Sequence, residues 1–270
     1  MVTFSEANAK IEALAEVESL KKYLEGKKVY SFDLLSGYSC PFAKECLSKA
    51  VEYTDITDDG VAISAKIRRK IKDGPDTKFR CFSASQEVQY TGVYNRRKNN
   101  LDNLRGFDTL ELVKEIISAM PKDLGVCRIH VAGDFFNEKY FLAWLTIAQL
   151  FPQKLFYAYT KSLKYWVNNR ELVDSLPNFI LTASYGGRDD AMIDEHSLRA
   201  SKVVFSEQEA KNLGLTIDHD DSHAADPELK NQDFALLIHG TQPKDTEASK
   251  ALQLLRKNKV KHSYSRKVKV

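Results

Sequence analysis

Three of the four cysteines lie in two short polar segments and could together bind a soft metal centre. Five residues separate Cys40 from Cys46, and thirty-four separate Cys46 from Cys81. Two thiolates from one loop and a third from a distant segment suit iron in an iron–sulfur cluster. The spacing is neither the CxxC of a structural zinc site nor a ferredoxin run. Small buried side chains are the alternative interpretation of these cysteines.

The fourth cysteine, Cys127, lies inside a predicted strand with the sequence GVCRIH (125–130). An apolar strand buried in a sheet favours a core role for its thiol. We therefore interpret Cys127 as a core residue, and a fourth metal ligand is the alternative.

Polar side chains and glycines follow almost every predicted strand. The carboxyl ends of parallel strands meet at one edge of an α/β sheet, where ligands bind. Such residues also form ordinary turns, which is the simpler interpretation of any single strand end. Because polar residues or glycines follow so many strand ends at once, we predict that these ends form one cofactor site. Its predicted binding residues are His130, Gly133, Asp134, Lys161, Ser184, Tyr185, Arg188 and His239.

The elements that must position these residues are short apolar runs separated by helical patterns. Runs of strand length occur at 29–35, 126–133, 155–160, 179–184, 202–205 and 234–239, with a weaker one at 215–218. Apolar spacing of three and four residues predicts helices at 5–25, 83–104, 109–120, 138–151, 163–176, 207–213 and 246–257. This alternation predicts an α/β fold, an open or partial (β/α) barrel of about six parallel strands, with a doubly wound sheet as the alternative.

No linker rich in proline or glycine divides the chain, so we expect one domain over 1–270. Residues 47–80, between the cysteines, form a predicted excursion with a hairpin. Residues 256–270 form a basic tail.

The composition is that of a globular protein, with 43% hydrophobic and 29% charged residues. No apolar run approaches the roughly 20 residues of a membrane helix, and the amino terminus lacks a signal-peptide pattern. We therefore expect a cytoplasmic protein that does not bind membranes. In a reducing compartment, cysteines are seldom paired in disulfides, which favours metal binding.

A net charge of +3 is a weak argument for nucleic acid, but the basic residues are clustered at 68–72, at 96–98 and in the tail. The last fifteen residues hold seven lysines and arginines and no acid. A nucleic-acid partner bound through this tail is one alternative function. A solvated chain end is the simpler interpretation.

A second alternative is a metal-dependent hydrolase or nuclease. The segment DHDDSH (218–223) offers carboxylates and imidazoles, which could act with His130 and His239 on a hard metal ion. A structural zinc site at the cysteines is a third alternative.

Six segments give the chain a resemblance to an uncharacterised family of tailed-phage proteins, common in phages of cyanobacteria. They are SCPFAKEC (39–46), FRCFSAS (79–85), HVAGDFF (130–136), FYAYTK (156–161), LTASYGG (181–187) and DHDDSH (218–223). The resemblance implies a phage protein in the cytoplasm of an infected host cell, and it implies little about activity.

A more remote resemblance is to radical SAM enzymes, which hold a [4Fe-4S] cluster on three cysteines after the first strand of a partial barrel. In those enzymes a Gly-Gly-acid motif contacts S-adenosylmethionine, and Gly133-Asp134 stands at the corresponding place. This chain departs from their pattern, since its third cysteine is displaced and one glycine is missing. The resemblance implies a cluster on Cys40, Cys46 and Cys81 with an open iron for S-adenosylmethionine or another small molecule.

Overall fold

The protein was analysed as a computed structural model, which describes residues 1–54 and 67–261, without the side chain of Ala9. Eight strands form one sheet and two form a separate hairpin. In chain order the described strands are β1 (Ser5–Glu6), β2 (Lys28–Phe32), β3 (Ser48–Tyr53), β4 (Arg68–Asp73), β5 (Leu124–Ile129), β6 (Leu155–Thr160), β7 (Phe179–Ser184), β8 (Ala200–Val204), β9 (Thr216–Ile217) and β10 (Phe234–Leu237).

The main sheet has the order β1-β2-β5-β6-β7-β8-β10-β9. Only the edge strand β1 is antiparallel to its neighbour, and the other pairings are parallel. The predicted α/β class is therefore confirmed, and every apolar run assigned to a strand contributes to this sheet. Within residues 1–54 and 67–261 the sheet does not close into a barrel.

Helices connect the parallel strands. The described α-helices are α1 (Ala9–Glu12), α2 (Lys21–Leu24), α3 (Phe82–Gln89), α4 (Thr91–Leu104), α5 (Thr109–Ala119), α6 (Glu138–Leu150), α7 (Leu163–Asn168), α8 (Arg170–Asp174), α9 (Ala191–Glu195), α10 (Glu207–Asn212), α11 (Ser222–Ala225) and α12 (Glu247–Lys257). None of them is both long and apolar enough to span a bilayer.

The single helix predicted for 5–25 is wrong. Ser5 and Glu6 instead pair with β2, and Asn8 caps the short helix α1. Two 3-10 turns and α2 follow, separated by an extended Val17. The apolar spacing that suggested one helix is satisfied because Ile11, Leu14 and Leu20 pack together on the sheet.

Two other predicted helices are each divided in two. An extended residue, Tyr90, separates α3 from α4, and Asn169 separates α7 from α8. At the second break the hydrophobic pattern continues, because Trp166 of α7 and Val173 of α8 belong to the same core.

The sheet is covered on both faces, as the near-continuous apolar strands require. On one face Phe32, Cys127 and Phe156 belong to a core that includes α5 and α6. On the other, Val29, Val126 and Leu155 pack against the amino-terminal segment. Cys127 is fully buried in the core that includes α5 and α6, so its thiol lies between packed apolar side chains.

The chain between Cys46 and Cys81 leaves the sheet as the antiparallel hairpin β3–β4. Residues 55–66, between β3 and β4 in sequence, and residues 262–270 of the predicted basic tail lie outside the described residues.

Candidate functional site

A cavity of about 610 Å³ lies at the carboxyl ends of the parallel strands. Three cysteines and six of the eight predicted binding residues line it. They are Cys40, Cys46, Cys81, His130, Gly133, Asp134, Lys161, Ser184 and His239. Another cavity, of about 720 Å³, lies near the amino end of β2 and is lined by no cysteine or histidine.

Tyr185 and Arg188 lie outside the cavity lining. The hydroxyl of Tyr185 donates to Asp194 at 3.2 Å, and only its carbonyl faces the site, where it accepts from Lys161. The Arg188 side chain is exposed, and its backbone N–H donates to the carbonyl of Phe42. The structure thus places these two residues beside the site.

The loop bearing Cys40 rests directly on the end of β5. A Cβ built on Gly133 would lie 2.6 Å from Ser39 Oγ and 2.7 Å from Leu34 Cβ. Gly133 also has a φ of +94°, a conformation that side chains disfavour. Glycine is therefore required at this position by the close approach of the cysteine loop.

The segment between Cys40 and Cys46 is fixed to the end of β7. The backbone N–H groups of Lys44 and Glu45 donate to the carbonyl of Gly186 at 3.2 and 2.9 Å. Ala43 and Gly187 form an isolated antiparallel bridge. The loop that carries Cys40 and Cys46 therefore extends along the sheet edge from the end of β5 to the end of β7.

Backbone hydrogen bonds bring the third cysteine to the first two. The carbonyl of Glu45, next to Cys46, accepts from the N–H groups of Lys78 and Phe79 at 2.8 and 3.1 Å. The carbonyl of Leu47 accepts from Gly74. The hairpin thus returns the chain beside its own starting point, with Cys81 two residues beyond Phe79.

Cys81 is also anchored to the ends of β10 and β5. The side chain of Gln242 accepts from Arg80 N at 2.7 Å and donates to the Arg80 carbonyl at 3.1 Å. Ser83 Oγ donates to the carbonyl of Val131. The Phe82 ring lies 4.9 Å from that of His239. These contacts fix the start of α3 over the cavity.

A buried carboxylate joins the two cysteine segments. Glu87 of α3 is fully buried and accepts from the backbone and side chain of Ser36 at 3.0 and 2.7 Å. Arg97 of α4 forms an ion pair with it at 3.0 Å. Because Ser36 precedes Cys40 and Glu87 follows Cys81, this network fixes one loop relative to the other.

The three thiols interact electrostatically. Burial, together with the nearby Asp134 and Cys81, raises the pKa of Cys40 well above its ordinary value. Burial and the neighbouring Cys46 raise the pKa of Cys81 to about 11. All three cysteines are free of disulfides and partly accessible. Cys40 and Cys81 are therefore protonated at neutral pH, and metal binding would displace protons from them.

Lys161 places a positive charge at the same cavity. Its ammonium donates to Ser184 Oγ at 2.6 Å and to the carbonyls of Ser184 and Tyr185 at 3.0 and 2.9 Å. In the described part of the chain, no carboxylate forms an ion pair with it. A half-enclosed cation with only neutral acceptors favours an anionic ligand nearby.

Asp134 is held by local hydrogen bonds. Its Oδ1 accepts from Thr160 Oγ1 at 2.6 Å and from Phe135 N, and its Oδ2 accepts from Lys161 N at 2.8 Å. A carboxylate has about four acceptor positions, so one is left for a ligand. Burial raises the pKa of this carboxyl group.

His130 is strained and incompletely hydrogen-bonded. It is buried with a φ of +71°, uncommon outside glycine. Its Nε2 pairs with Tyr140 Oη at 3.0 Å, while Nδ1 has no partner among the described residues. Burial and the nearby Arg128 lower the pKa of His130 to about 3, so the ring is neutral. Strain and an unpartnered nitrogen are typical of functional residues.

A family model described as Gene product 88 matches residues 2–257. The chain belongs to the Gene product 88 family. It matches no curated protein and no solved structure. The family match supports the resemblance to an uncharacterised phage-type family, and it does not bear on a cysteine cluster or on radical SAM chemistry.

The floor of the cavity in this Gene product 88 protein is an ionic network that the sequence analysis missed. Asp221, fully buried, pairs with Lys10 at 2.5 Å and with Arg128. The hydroxyls of Tyr157 and Tyr159 donate to it at 3.1 and 3.2 Å. Lys10, Arg128 and Tyr159 also line the cavity. An arginine inside a predicted strand was the one signal for this network.

The network explains the segment 218–223 differently from a hard-metal site. Asp221 is the counter-ion of two cations, and Asp218 accepts from Tyr159 at 3.4 Å and lies 3.7 Å from His223. Residues 1–54 and 67–261 hold no group of three or more Cys, His, Asp or Glu side chains close enough to bind one metal ion. An iron–sulfur cluster takes one thiolate per iron, so its ligands stand further apart than those of a single ion.

Proposed function

We propose that this protein binds a four-iron cluster through Cys40, Cys46 and Cys81. The observation that carries the proposal is the convergence of three free cysteines, from segments far apart in sequence, on one cavity at the strand ends. The donor set fits, because soft thiolates are the ligands of such clusters. Bound to three cysteinates, the cluster would supply one iron open to another ligand.

The surrounding residues are suited to a negatively charged centre. Lys161 provides a cation that has no carboxylate partner among the described residues, and the Gly37 N–H donates to Cys40 Sγ at 3.3 Å. Hydrogen bonds to cysteine sulfur and nearby cations tune the reduction potential of a cluster. Arg80 is held by Asp73 at 2.7 Å, so its charge is largely compensated.

We infer that the sheet is the wall of a partial barrel. From β2 through β5, β6, β7 and β8, neighbouring strands follow the chain order in one direction, without the reversal of a doubly wound sheet. A small molecule in the mouth of this barrel would reach the open iron. S-adenosylmethionine is one candidate, for which Asp134 retains an acceptor position and His130 an unpartnered nitrogen.

We further propose an iron–sulfur enzyme, radical-SAM-like or otherwise redox-active, made as one domain in the cytoplasm of an infected host cell. The cavity lined by the three cysteines supports the cluster, and the family match supports only the phage-type origin.

The test is anaerobic purification followed by quantitation of iron, sulfide and zinc per chain. We expect brown protein with a broad thiolate-to-iron absorbance. Cys40→Ala, Cys46→Ala and Cys81→Ala should each lose the iron and the colour. Cys127→Ala is the matched control and should keep both, because its thiol lies in the apolar core.

Two results would contradict the assignment. Iron lost in Cys127→Ala but kept in Cys81→Ala would exclude these ligands. Stoichiometric zinc without sulfide would identify a structural zinc site instead.

A further inference from the structure

The hairpin β3–β4 divides its charges between two faces. Strand alternation and register place Lys49, Val51 and Tyr53 on the same face as Arg68, Lys70 and Lys72. This outer face, defined by those six residues, carries four cations and no carboxylate. The opposite, inner face carries Ser48, Ala50, Glu52, Arg69, Ile71 and Asp73.

The inner face is occupied by the rest of the protein. Arg69 donates to the Glu87 carbonyl at 3.0 Å and lies over the Tyr94 ring, and Glu52 is 3.8 Å from its guanidinium. Asp73 binds Arg80 and Ser48. Glu52 and Asp73, the acidic residues of strands β3 and β4, therefore have partners on the side that packs against α3 and the cysteine segments.

The lysines of the outer face have no such partners. Lys49, Lys70 and Lys72 form no ion pair with any other described residue, and Lys70 and Lys72 are exposed. Residues two apart on one strand lie about 7 Å from each other, so Arg68, Lys70 and Lys72 form a short row of charges along β4, and Lys49 of β3 lies opposite Lys72. Such a surface attracts a chain of phosphates.

Aromatic rings lie among these cations. Lys70 Nζ is 5.1 Å from the centre of the Tyr53 ring, and Lys49 Nζ is 4.8 Å from that of Tyr38. Tyr38, at the edge of the hairpin, is 44% exposed. Cations interleaved with accessible rings are the combination that binds unpaired bases and their backbone together.

We propose that the outer face of the hairpin binds single-stranded nucleic acid. The phosphates lie along the lysines, and a base stacks on Tyr53. This site is separate from the cysteine cavity and does not depend on a cluster. It also differs from the run 68–72 considered from sequence alone, because Arg69 faces inward while Lys49 and the tyrosines join the surface.

The test is fluorescence anisotropy of a labelled thirty-nucleotide oligothymidine with the full-length protein, titrated at several salt concentrations. Each phosphate contact contributes about 0.7 to the slope of log affinity against log salt for a single strand. The triple variant Lys49→Gln, Lys70→Gln, Lys72→Gln should therefore lower the slope by about 2 and the affinity at 0.1 M salt by roughly a hundredfold.

The matched control removes three exposed lysines elsewhere: Lys114→Gln, Lys122→Gln, Lys139→Gln. It changes the net charge equally and should keep the wild-type slope. Tyr53→Leu should weaken binding about tenfold with little change in slope, because a stacked base and not a phosphate is lost.

The proposal is wrong if the wild-type protein does not bind the oligonucleotide at 50 mM salt, or if the control variant loses as much as the hairpin variant. Equal or tighter binding of a duplex of the same length would also overturn it, since stacking on Tyr53 requires unpaired bases. Circular dichroism of each variant checks that the fold is intact.

Discussion

Gly133 is where two segments of the site approach most closely. Its absent side chain leaves room for Ser39 and Leu34, and its φ of +94° favours glycine independently. Gly133 is one of the cofactor-binding residues predicted at the strand ends, and the resemblance to radical SAM enzymes implies the same role. Its contacts show that Gly133 positions the loop that carries Cys40, because a side chain at this residue would prevent the loop from packing against the end of β5.

We expect Gly133→Ala to lower the free energy of unfolding by about 3 kcal/mol, combining backbone strain with a forced shift of the cysteine loop. Chemical denaturation measures the loss. Gly92→Ala is the control, since a Cβ there meets nothing within 4 Å. A similar loss in both variants would show that Gly133 has no special constraint.

Most of the polar residues that line the cavity could be predicted from sequence, because the end of a strand can be recognised from the neighbouring residues alone. Each parallel strand of the sheet ends within four residues of the end of its apolar run, so His130, Lys161 and Ser184 could be assigned to one edge. The pairing of Lys10 and Arg128 with Asp221 was not identifiable, because it joins residues from three distant segments. Arg188 was predicted at the same edge, and its side chain is exposed and lies outside the cavity lining.

Among the helices, α5 is the one whose boundaries follow most directly from local chemistry. Asp108 accepts from Glu111 N at 2.9 Å, and the Glu111 side chain accepts from Asp108 N at 2.9 Å. This reciprocal capping box satisfies two backbone groups at the helix start. The predicted helix 109–120 therefore agrees with the structure to within one residue.

Asp108→Ala should lower the free energy of unfolding by about 1 kcal/mol, because one backbone donor of the first turn loses its partner. Asp108→Asn should recover most of this loss, since the amide oxygen can also accept. Thermal unfolding of the two variants gives the comparison. An unchanged Asp108→Ala protein would show that the cap contributes nothing here.

The segment 5–25 shows why other elements were not predictable. Its apolar spacing satisfies a helix, and no proline or glycine interrupts the pattern before Gly26. The competing interactions are tertiary: Ser5 and Glu6 add an edge strand to β2, and Lys10 must reach Asp221. Neither β2 nor Asp221 lies within residues 5–25, so helix propensity alone predicted the wrong structure for this segment.

At the scale of the whole molecule, the ionic network at Asp221 makes stability depend on pH. Arg128 and Lys10 outweigh the burial of this carboxyl group and lower its pKa to about 2. A lowered pKa in the folded state stabilises the protein above the unfolded value near 3.8, and this contribution is lost as pH falls through 2. We expect a loss of about 2 kcal/mol between pH 4 and pH 2 from this group.

Asp221→Asn isolates the effect. Asparagine tolerates the left-handed backbone at this position, where φ is +66°, so the charge alone is removed. We expect about 3 kcal/mol of destabilisation at pH 7, because two enclosed cations lose their counter-ion. The difference in unfolding free energy between the two proteins should shrink below pH 4, and a constant difference would contradict the network.

The reciprocal hydrogen bonds between Gln242 and Arg80 join positions 162 residues apart. A ribosome adds about 5–20 residues per second, so roughly 10–30 s pass after Arg80 is made before its partner exists. Throughout that interval the thiols of the nascent chain lack their final surroundings. The anchor that holds the Cys81 segment over the cavity can therefore form only after almost the whole described chain has been made.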